Sequence, residues 1–147
     1  MKIGVGSDHA GFALKEHVRK RIEEAGHDVV DYGAKDESRS DYPDFGIVVA
    51  RAVARKEVER GILVCGTGLG ISMTANRVRT VRAAPCTSEY EAVMTRKHND
   101  ANILALGGRV VTPDIADRIV DAFFSTEFEG GRHQRRVSKI DSNSETD

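Results

Sequence analysis

The chain has 147 residues, enough for one domain that buries about two-thirds of the surface exposed by its unfolded form. Its 22 Lys and Arg residues nearly balance its 23 Asp and Glu residues, so the overall charge favours neither nucleic acid nor an anionic membrane as a partner. No apolar run approaches the ~20 residues that cross a bilayer, and two cysteines do not make a disulfide framework. We therefore expect a reduced, cytoplasmic protein.

Hydrophobic periodicity predicts five short strands that alternate with helices along the chain. The strands are expected at 2–6, 27–32, 61–64, 81–86 and 102–106. The first helix ends at Gly26, and Pro43 suits the first turn of the second helix. A glycine-rich loop and a helix to about Val78 follow the third strand, and a helix at 88–98 follows the fourth. After the fifth strand, Thr112-Pro113-Asp114 combines the capping side chain, proline and acid that are typical of a helix start.

Strands that alternate with helices predict an α/β fold, a three-layer α/β/α Rossmann-like domain with a five-stranded parallel sheet. We expect the strand order to begin 2-1-3, because doubly wound sheets commonly do. The carboxyl ends of strands one and three then flank the crevice in which such sheets bind ligands. A single domain is predicted at 1–140. Its residues 127–140 form a basic arm that is expected to be helical at 132–137, after a break at Gly130-Gly131. A polar tail at 141–147 is expected to be disordered.

The strongest functional signal follows the third strand, in Val64-Cys65-Gly66-Thr67-Gly68-Leu69-Gly70. Alternate glycines let the backbone approach a ligand and turn its N–H groups toward it. The start of the following helix adds partial positive charge, which favours an anion or a developing oxyanion and should favour the thiolate form of Cys65. A free cysteine is often only a small buried hydrophobic residue. The position of Cys65 before this loop favours a catalytic role instead.

Nucleotide binding is an alternative interpretation of the same loop. The G-x-G-x-x-G fingerprint requires a glycine where this chain has Ile71, and no Gly-Lys-Ser/Thr follows for a P-loop. A non-catalytic module that binds phosphate or nucleotide remains the alternative from another functional class. Cys86 also ends a strand, but no glycine loop follows it, so we interpret Cys86 as structural.

Polar residues at other element ends are candidate ligand contacts. Asp8 and His9 follow the first strand and would face Cys65 across the crevice, although Asp8 also suits a helix cap. His98 precedes Asn99 at a predicted helix end. His17 and His27 are interpreted as solvated and inert.

The basic arm offers a candidate phosphate site. Arg132 and Arg136 are four residues apart, so a helix presents both guanidinium groups on one side. A solvated basic face is the alternative interpretation of these arginines and Arg135. No spacing of His, Cys and Asp matches a zinc site, so the sequence predicts no metal.

Six motifs occur in an order typical of a known family. They are Ser7-Asp8-His9-Ala10-Gly11, Asp41-Tyr42-Pro43, the segment 61–72, Arg96-Lys97-His98-Asn99-Asp100-Ala101-Asn102, Gly108-Arg109-Val110-Val111 and Gly130-Gly131-Arg132-His133. Together they resemble the ribose-5-phosphate isomerase B family over residues 2–137. The resemblance implies an aldose–ketose isomerase that interconverts ribose 5-phosphate and ribulose 5-phosphate without a metal or nucleotide cofactor.

The resemblance also implies a role for individual positions. Cys65 matches the base that moves a proton between C1 and C2 through a cis-enediolate, and the amides of the loop 66–70 match the groups that stabilise its oxyanion. His98 matches the acid/base that opens the furanose ring, with Thr67 as a helper. The positions that match substrate contacts are Asp8, His9, Gly66, Gly68, Leu69, Gly70, Asn99, Arg109, Arg132 and Arg136.

Two properties of the family bear on substrate and assembly. Some branches place a carboxylate base on the helix after the loop. This chain has Met73, Thr74 and Ala75 there, so it resembles the branches in which a cysteine is the base. Other members act on six-carbon sugar phosphates such as allose or galactose 6-phosphate, and this substrate class is the alternative. Members form homodimers or dimers of dimers in which the partner subunit completes the site. No nucleic acid or membrane partner is implied.

Overall fold

The computed structural model describes residues 1–143 as an all-parallel sheet between two layers of helices. The strands are β1 (Lys2–Ser7), β2 (Asp28–Asp31), β3 (Arg60–Cys65), β4 (Ala83–Pro85) and β5 (Ile103–Gly107). Their order is β2-β1-β3-β5-β4, which confirms the predicted fold class and the predicted 2-1-3 start. No helix among these residues is long and apolar enough to span a bilayer.

Residues 1–143 form six helices, of which five cover the two faces of the sheet. They are α1 (Phe12–Glu24), α2 (Tyr42–Ala54), α3 (Leu69–Ala75), α4 (Glu89–Asn99), α5 (Pro113–Ser125) and α6 (Arg132–Ser142). Apolar residues of α1, α4 and α5 pack with one face of the sheet, and those of α2 and α3 pack with the other. Strand residues contribute to both clusters, so the sheet joins them.

Two predicted boundaries differ because side chains bond to the backbone in ways that periodicity does not show. Helix α3 ends at Ala75 rather than near Val78. There the side chain of Asn76 accepts from the amide of Ala83 at 2.8 Å and donates to its carbonyl oxygen at 2.9 Å. These bonds fix a turn before β4, which is correspondingly shorter than predicted.

The basic arm is longer than predicted. Helix α6 continues to Ser142, and Arg82 Nη1 donates to Asp141 Oδ1 at 2.8 Å. The expected start of a disordered tail at residue 141 is therefore wrong, since residues 141 and 142 are helical. The expected disorder of residues 144–147 lies outside the described part of the chain.

The strand register determines which polar residues lie together. Cys65 at the end of β3 pairs with Gly107 at the end of β5, and Ser7 at the end of β1 pairs with Val64. The ends of β1, β3 and β5 therefore meet along one side of the sheet, which we call the carboxyl edge. We call the opposite side, where Gly61 pairs with Ile103, the amino edge.

Candidate active site

The loop after β3 folds over the sulfur of Cys65. The amide of Gly68 donates to Cys65 Sγ at 3.1 Å, and Gly68 has the left-handed φ of +79° that this tight turn requires. Only 4% of Cys65 is exposed, so the residue is buried beneath the loop. An amide directed at Sγ stabilises negative charge there. A backbone donor therefore contacts the sulfur of Cys65, but Cys65 is less accessible than a residue that lines an open cleft.

Thr67 is exposed at the tip of this loop. Its Oγ1 accepts from the amide of Leu69 at 3.2 Å. Two of the amides predicted to face a ligand, those of Gly68 and Leu69, thus have partners within the loop. The Thr67–Leu69 bond is exposed to solvent, so a substrate oxygen can replace it at little cost.

Gly70 and Tyr42 make a close contact beside the loop. A Cβ atom at Gly70 would lie 2.5 Å from the ring of Tyr42, so only glycine lets the start of α2 approach α3 this closely. Tyr42 is exposed and belongs to the Asp41-Tyr42-Pro43 motif. It adds an aromatic side chain to this side of the site, which sequence reasoning did not assign.

The end of β1 contributes a carboxylate and an imidazole to the same edge. The amide of Asp8 donates to the carbonyl oxygen of Val64 at 3.3 Å, which places Asp8 next to the residue that precedes Cys65. Its Oδ1 accepts from the amide of Gly11 at 2.9 Å, so Asp8 also fixes the turn into α1. The predicted proximity of the first and third strand ends is confirmed.

His9 is held by the loop that precedes α2. Its amide donates to Ser40 Oγ at 3.1 Å, and its Nδ1 lies 3.2 Å from the amide nitrogen of Ser40. These bonds orient the ring and leave Nε2 for a ligand. Ser40 lies in the polar stretch 33–44, which gave no signal of a role at the site.

Arg109 reaches the glycine loop from the end of β5. The amides of Gly108 and Arg109 donate to the carbonyl oxygens of Cys65 and Gly66 at 2.8 and 3.0 Å. A Cβ atom at Gly66 would lie 3.3 Å from Arg109 Nη1, so the guanidinium lies over the loop. Its positive charge beside the loop amides favours an anion at this edge.

The remaining predicted residues lie at the amino edge, away from Cys65. Helix α4 ends at Asn99, whose carbonyl oxygen accepts from Arg82 Nε at 3.0 Å, and the chain then enters β5 at Ile103. Ile103 pairs with Gly61 of β3, which lies four residues before Cys65. At the usual rise of parallel strands, these four residues span ~13 Å. Within one chain, His98 and Asn99 therefore do not join the site at the carboxyl edge.

Arg132 and Arg136 share the location of His98. Helix α6 follows a backbone bond from the amide of Glu129 to the carbonyl oxygen of Lys97 at 3.2 Å. The rings of His98 and His133 stack with centroids 4.3 Å apart. Both arginines are exposed on α6, so the predicted phosphate-binding face lies beside His98 at the amino edge. The structure thus divides the predicted site residues into two groups.

The carboxyl-edge group defines the class of this site. A sulfur that accepts from a loop amide, a carboxylate, an imidazole and a guanidinium lie together at one edge of the sheet, and these groups are typical of an acid–base site for a small anionic substrate. A model of the family described as Ribose/Galactose Isomerase matches residues 3–140, and the chain belongs to that family.

Individual relatives agree with this assignment. The chain is 48% identical to ribose-5-phosphate isomerase B of Escherichia coli, over 95% of this chain and 93% of the relative. Its fold matches the structure of ribose-5-phosphate isomerase B from Clostridium thermocellum with a TM-score of 0.96 and 54% identity, over 97% and 96% of the two chains. It also matches the Mycoplasma genitalium enzyme with bound ribulose-5-phosphate, with a TM-score of 0.91 and 43% identity, over 96% and 94%.

Proposed function

We propose that this protein interconverts ribose 5-phosphate and ribulose 5-phosphate through a cis-enediolate, in the cytoplasm and without a metal or nucleotide cofactor. The observation that carries the proposal is the contact between the Gly68 amide and Cys65 Sγ at the carboxyl edge, beside Arg109. The names of the Escherichia coli and Clostridium thermocellum relatives support the same substrate pair.

Cys65 is the base in this proposal. Its thiolate removes the proton from C2 of the open-chain aldose, and the negative charge that develops is shared by the two sugar oxygens on C1 and C2. The proton then returns at C1 while the hydroxyl proton of O2 passes to O1, which gives the ketose. Preorganised amides that bind such an oxyanion contribute about 3–4 kcal/mol each. The loop 66–70 supplies these donors, and Thr67 assists by exchanging its bond to Leu69 for one to the substrate.

The other carboxyl-edge residues hold the sugar. Asp8 and His9 bind hydroxyl groups, because both lie at the carboxyl edge and their positions are fixed by Gly11 and Ser40. Arg109 binds an anionic part of the substrate. Phosphate binding far from the reacting carbons orients the sugar, so binding energy lowers the barrier at C2.

The amino-edge residues complete the site in an assembly of two copies. His98 acts as the acid/base that opens the furanose ring, Asn99 binds a hydroxyl, and Arg132 and Arg136 bind the phosphate. Within one chain, these residues are separated from Cys65 by ~13 Å along the strand direction. A second copy can bring its amino-edge group to the carboxyl edge of the first, so we propose a homodimer or a dimer of dimers with shared sites.

Exposed apolar residues around the glycine loop support this assembly. Leu69 and Met73 project from α3 and Val110 from the turn after β5, and all three are exposed although they are apolar. An apolar surface that borders a site is typical of a protein interface. A second copy placed there would cover it.

A direct assay of ribose 5-phosphate conversion with EDTA present tests the proposal. We expect turnover by the wild type, and a kcat lower by at least about 10²-fold in Cys65→Ala, because a positioned base contributes that much. Cys86→Ala is the matched control, since Cys86 is equally buried but has no loop amide, and it should retain full kcat. Full activity of Cys65→Ala would exclude the thiol as the base. Binding of NAD or ATP without isomerisation would favour the non-catalytic module.

A six-carbon substrate is the second candidate, because the matched family is described by both ribose and galactose. The ratio of kcat/KM for ribose 5-phosphate to that for allose 6-phosphate distinguishes the two. We expect the five-carbon sugar to be preferred, and a ratio below one would reverse this assignment.

A further inference from the structure

Three metal-ligating side chains meet at the amino edge. His98 Nε2 lies 3.6 Å from Glu129 Oε1, and His133 Nε2 lies 3.5 Å from the same oxygen. The three ligand atoms all lie within 4.8 Å of one another. In a tetrahedral zinc site, with bonds of 2.0–2.2 Å, ligand atoms are about 3.4 Å apart. The two distances to Glu129 already approach this separation.

Backbone contacts hold the three residues in this arrangement. The amide of Glu129 donates to the carbonyl oxygen of Lys97, the residue before His98, at 3.2 Å. His133 follows Glu129 by four residues, and its amide donates to the carbonyl oxygen of Gly130 at 3.1 Å. The cluster thus joins the last turn of α4 to the first turn of α6. These bonds fix the backbone of the three residues before an ion binds, which reduces the entropy lost on binding.

The three ligands differ in their exposure to solvent. The side chain of His133 is only 9% exposed, whereas His98 and Glu129 are 41% and 48% exposed. The two exposed ligands give an ion a path from solvent.

The two imidazole rings are nearly parallel, with an angle of 12° between their planes. Their lone pairs then lie in parallel planes, so one of the rings must turn before both nitrogens can share an ion. His98 is the more exposed ring and lies in the last turn of its helix, so it is the one that can turn. Ion binding would therefore separate the stacked rings.

We infer that His98, Glu129 and His133 form a binding site for a divalent transition metal of the zinc class, with water as the fourth ligand. Two imidazoles and one carboxylate are a ligand set that zinc uses. The sequence predicted no metal, because Glu129 and His133 lie more than 30 positions after His98 and match no zinc spacing. The ion is not a cofactor of the isomerase: it inhibits, since a metal-bound His98 cannot act as an acid/base. This last consequence rests on the proposed function.

Co²⁺ titration of the full-length, chelator-treated protein tests the site without reference to catalysis. We expect wild-type protein to bind one Co²⁺ per chain and to show the visible absorption of a tetrahedral ion. His133→Gln and Glu129→Gln should each weaken binding by at least about tenfold, since even outer-shell substitutions have effects of that size. Glu129→Gln changes an exposed residue, so it tests the site even if His133→Gln fails to fold.

His17→Gln is the matched control. His17 Nε2 lies 2.8 Å from Asp117 Oδ1, so this exposed pair has one imidazole and one carboxylate but no second histidine. Removal of the His17 imidazole should leave Co²⁺ binding unchanged. Absence of Co²⁺ binding by the wild type, or equal binding by wild type and Glu129→Gln, would overturn the site. Zn²⁺ should also inhibit isomerisation in wild type and less in Glu129→Gln, and failure of that result alone would overturn only the inhibitory role.

Discussion

The two cysteines differ in what their sulfur atoms contact rather than in how far they are buried. Cys65 is 4% exposed and Cys86 is 3% exposed. The Gly68 amide donates to Cys65 Sγ, whereas Cys86 Sγ lies 3.8 Å from the carbonyl oxygen of Ala84, which gives no stabilisation to a thiolate. Burial, with a smaller contribution from Glu91, raises the pKa of Cys86 to about 12. The interpretation of Cys86 as structural agrees with this environment.

The raised pKa of Cys86 predicts a loss of stability in alkali. Between pH 9.0, the ordinary pKa of the thiol, and about 12, the folded protein keeps this proton while the unfolded chain loses it. The contribution is complete below pH 9.0 and falls by up to about 1.4 kcal/mol per pH unit as the pH rises. Denaturant unfolding at several alkaline pH values should show this slope in wild type and a shallower slope in Cys86→Ala. Cys65→Ala is the control, and a slope equal in all three proteins would contradict the prediction.

At the scale of elements, the sequence predicted the helices and strands well and their ends less well. The glycine loop was recognised because its alternate glycines follow an apolar strand, which is a local pattern. The end of α3 was missed because Asn76 bonds to Ala83, a contact between a side chain and a later backbone segment. The full extent of α6 was missed because the ion pair of Asp141 with Arg82 joins residues 59 positions apart.

The conformation of the glycine loop gives a prediction that compares two glycines. Gly68 and Gly130 both have positive φ, so alanine at either position should cost about 1–2 kcal/mol in backbone strain. A Cβ atom at Gly68 would also lie 3.0 Å from the carbonyl carbon of Leu106, whereas one at Gly130 has nothing within 4 Å. Gly68→Ala should therefore lower the free energy of unfolding more than Gly130→Ala does.

Activity provides the second measurement on these variants. Gly68→Ala should also lower kcat, because the amide that contacts Cys65 Sγ must shift with the backbone. Equal losses of stability in the two variants, with kcat retained in both, would show that the loop is not constrained at Gly68.

At the scale of the whole molecule, the sheet order explains why the sequence predicted the proximity of only one of the two groups of candidate site residues. Parallel topology brings Asp8, His9, Cys65 and Arg109 to one edge, and that follows from the sequence once the strands are assigned. The position of His98 relative to them does not follow, because the end of α4 lies at the opposite edge. Contacts between two copies leave no periodic signal in a single chain.

Sharing of sites between copies predicts complementation. Cys65→Ala and Arg132→Ala should each be nearly inactive, because each removes a group from every site. A mixture refolded in equal amounts should recover about a quarter of wild-type activity, since half of the dimers are mixed and each of those has one intact site of two. Cys65→Ala mixed with Arg109→Ala is the matched control, because both residues belong to the carboxyl edge. No recovery in the test mixture would contradict the sharing of sites, and recovery in the control would place Cys65 and Arg109 in different halves of the site.

If the proposed sharing of sites holds, the separation of His98 from Cys65 along the sheet also makes the rate depend on protein concentration. A dissociated chain would then hold two incomplete halves, so the rate per chain should fall when the enzyme is diluted below the dissociation constant of the assembly. Preincubation at a series of low concentrations, followed by an initial-rate assay, measures this loss. Added Cys65→Ala subunits, which still offer an intact amino edge, should restore the rate of a dilute wild-type sample.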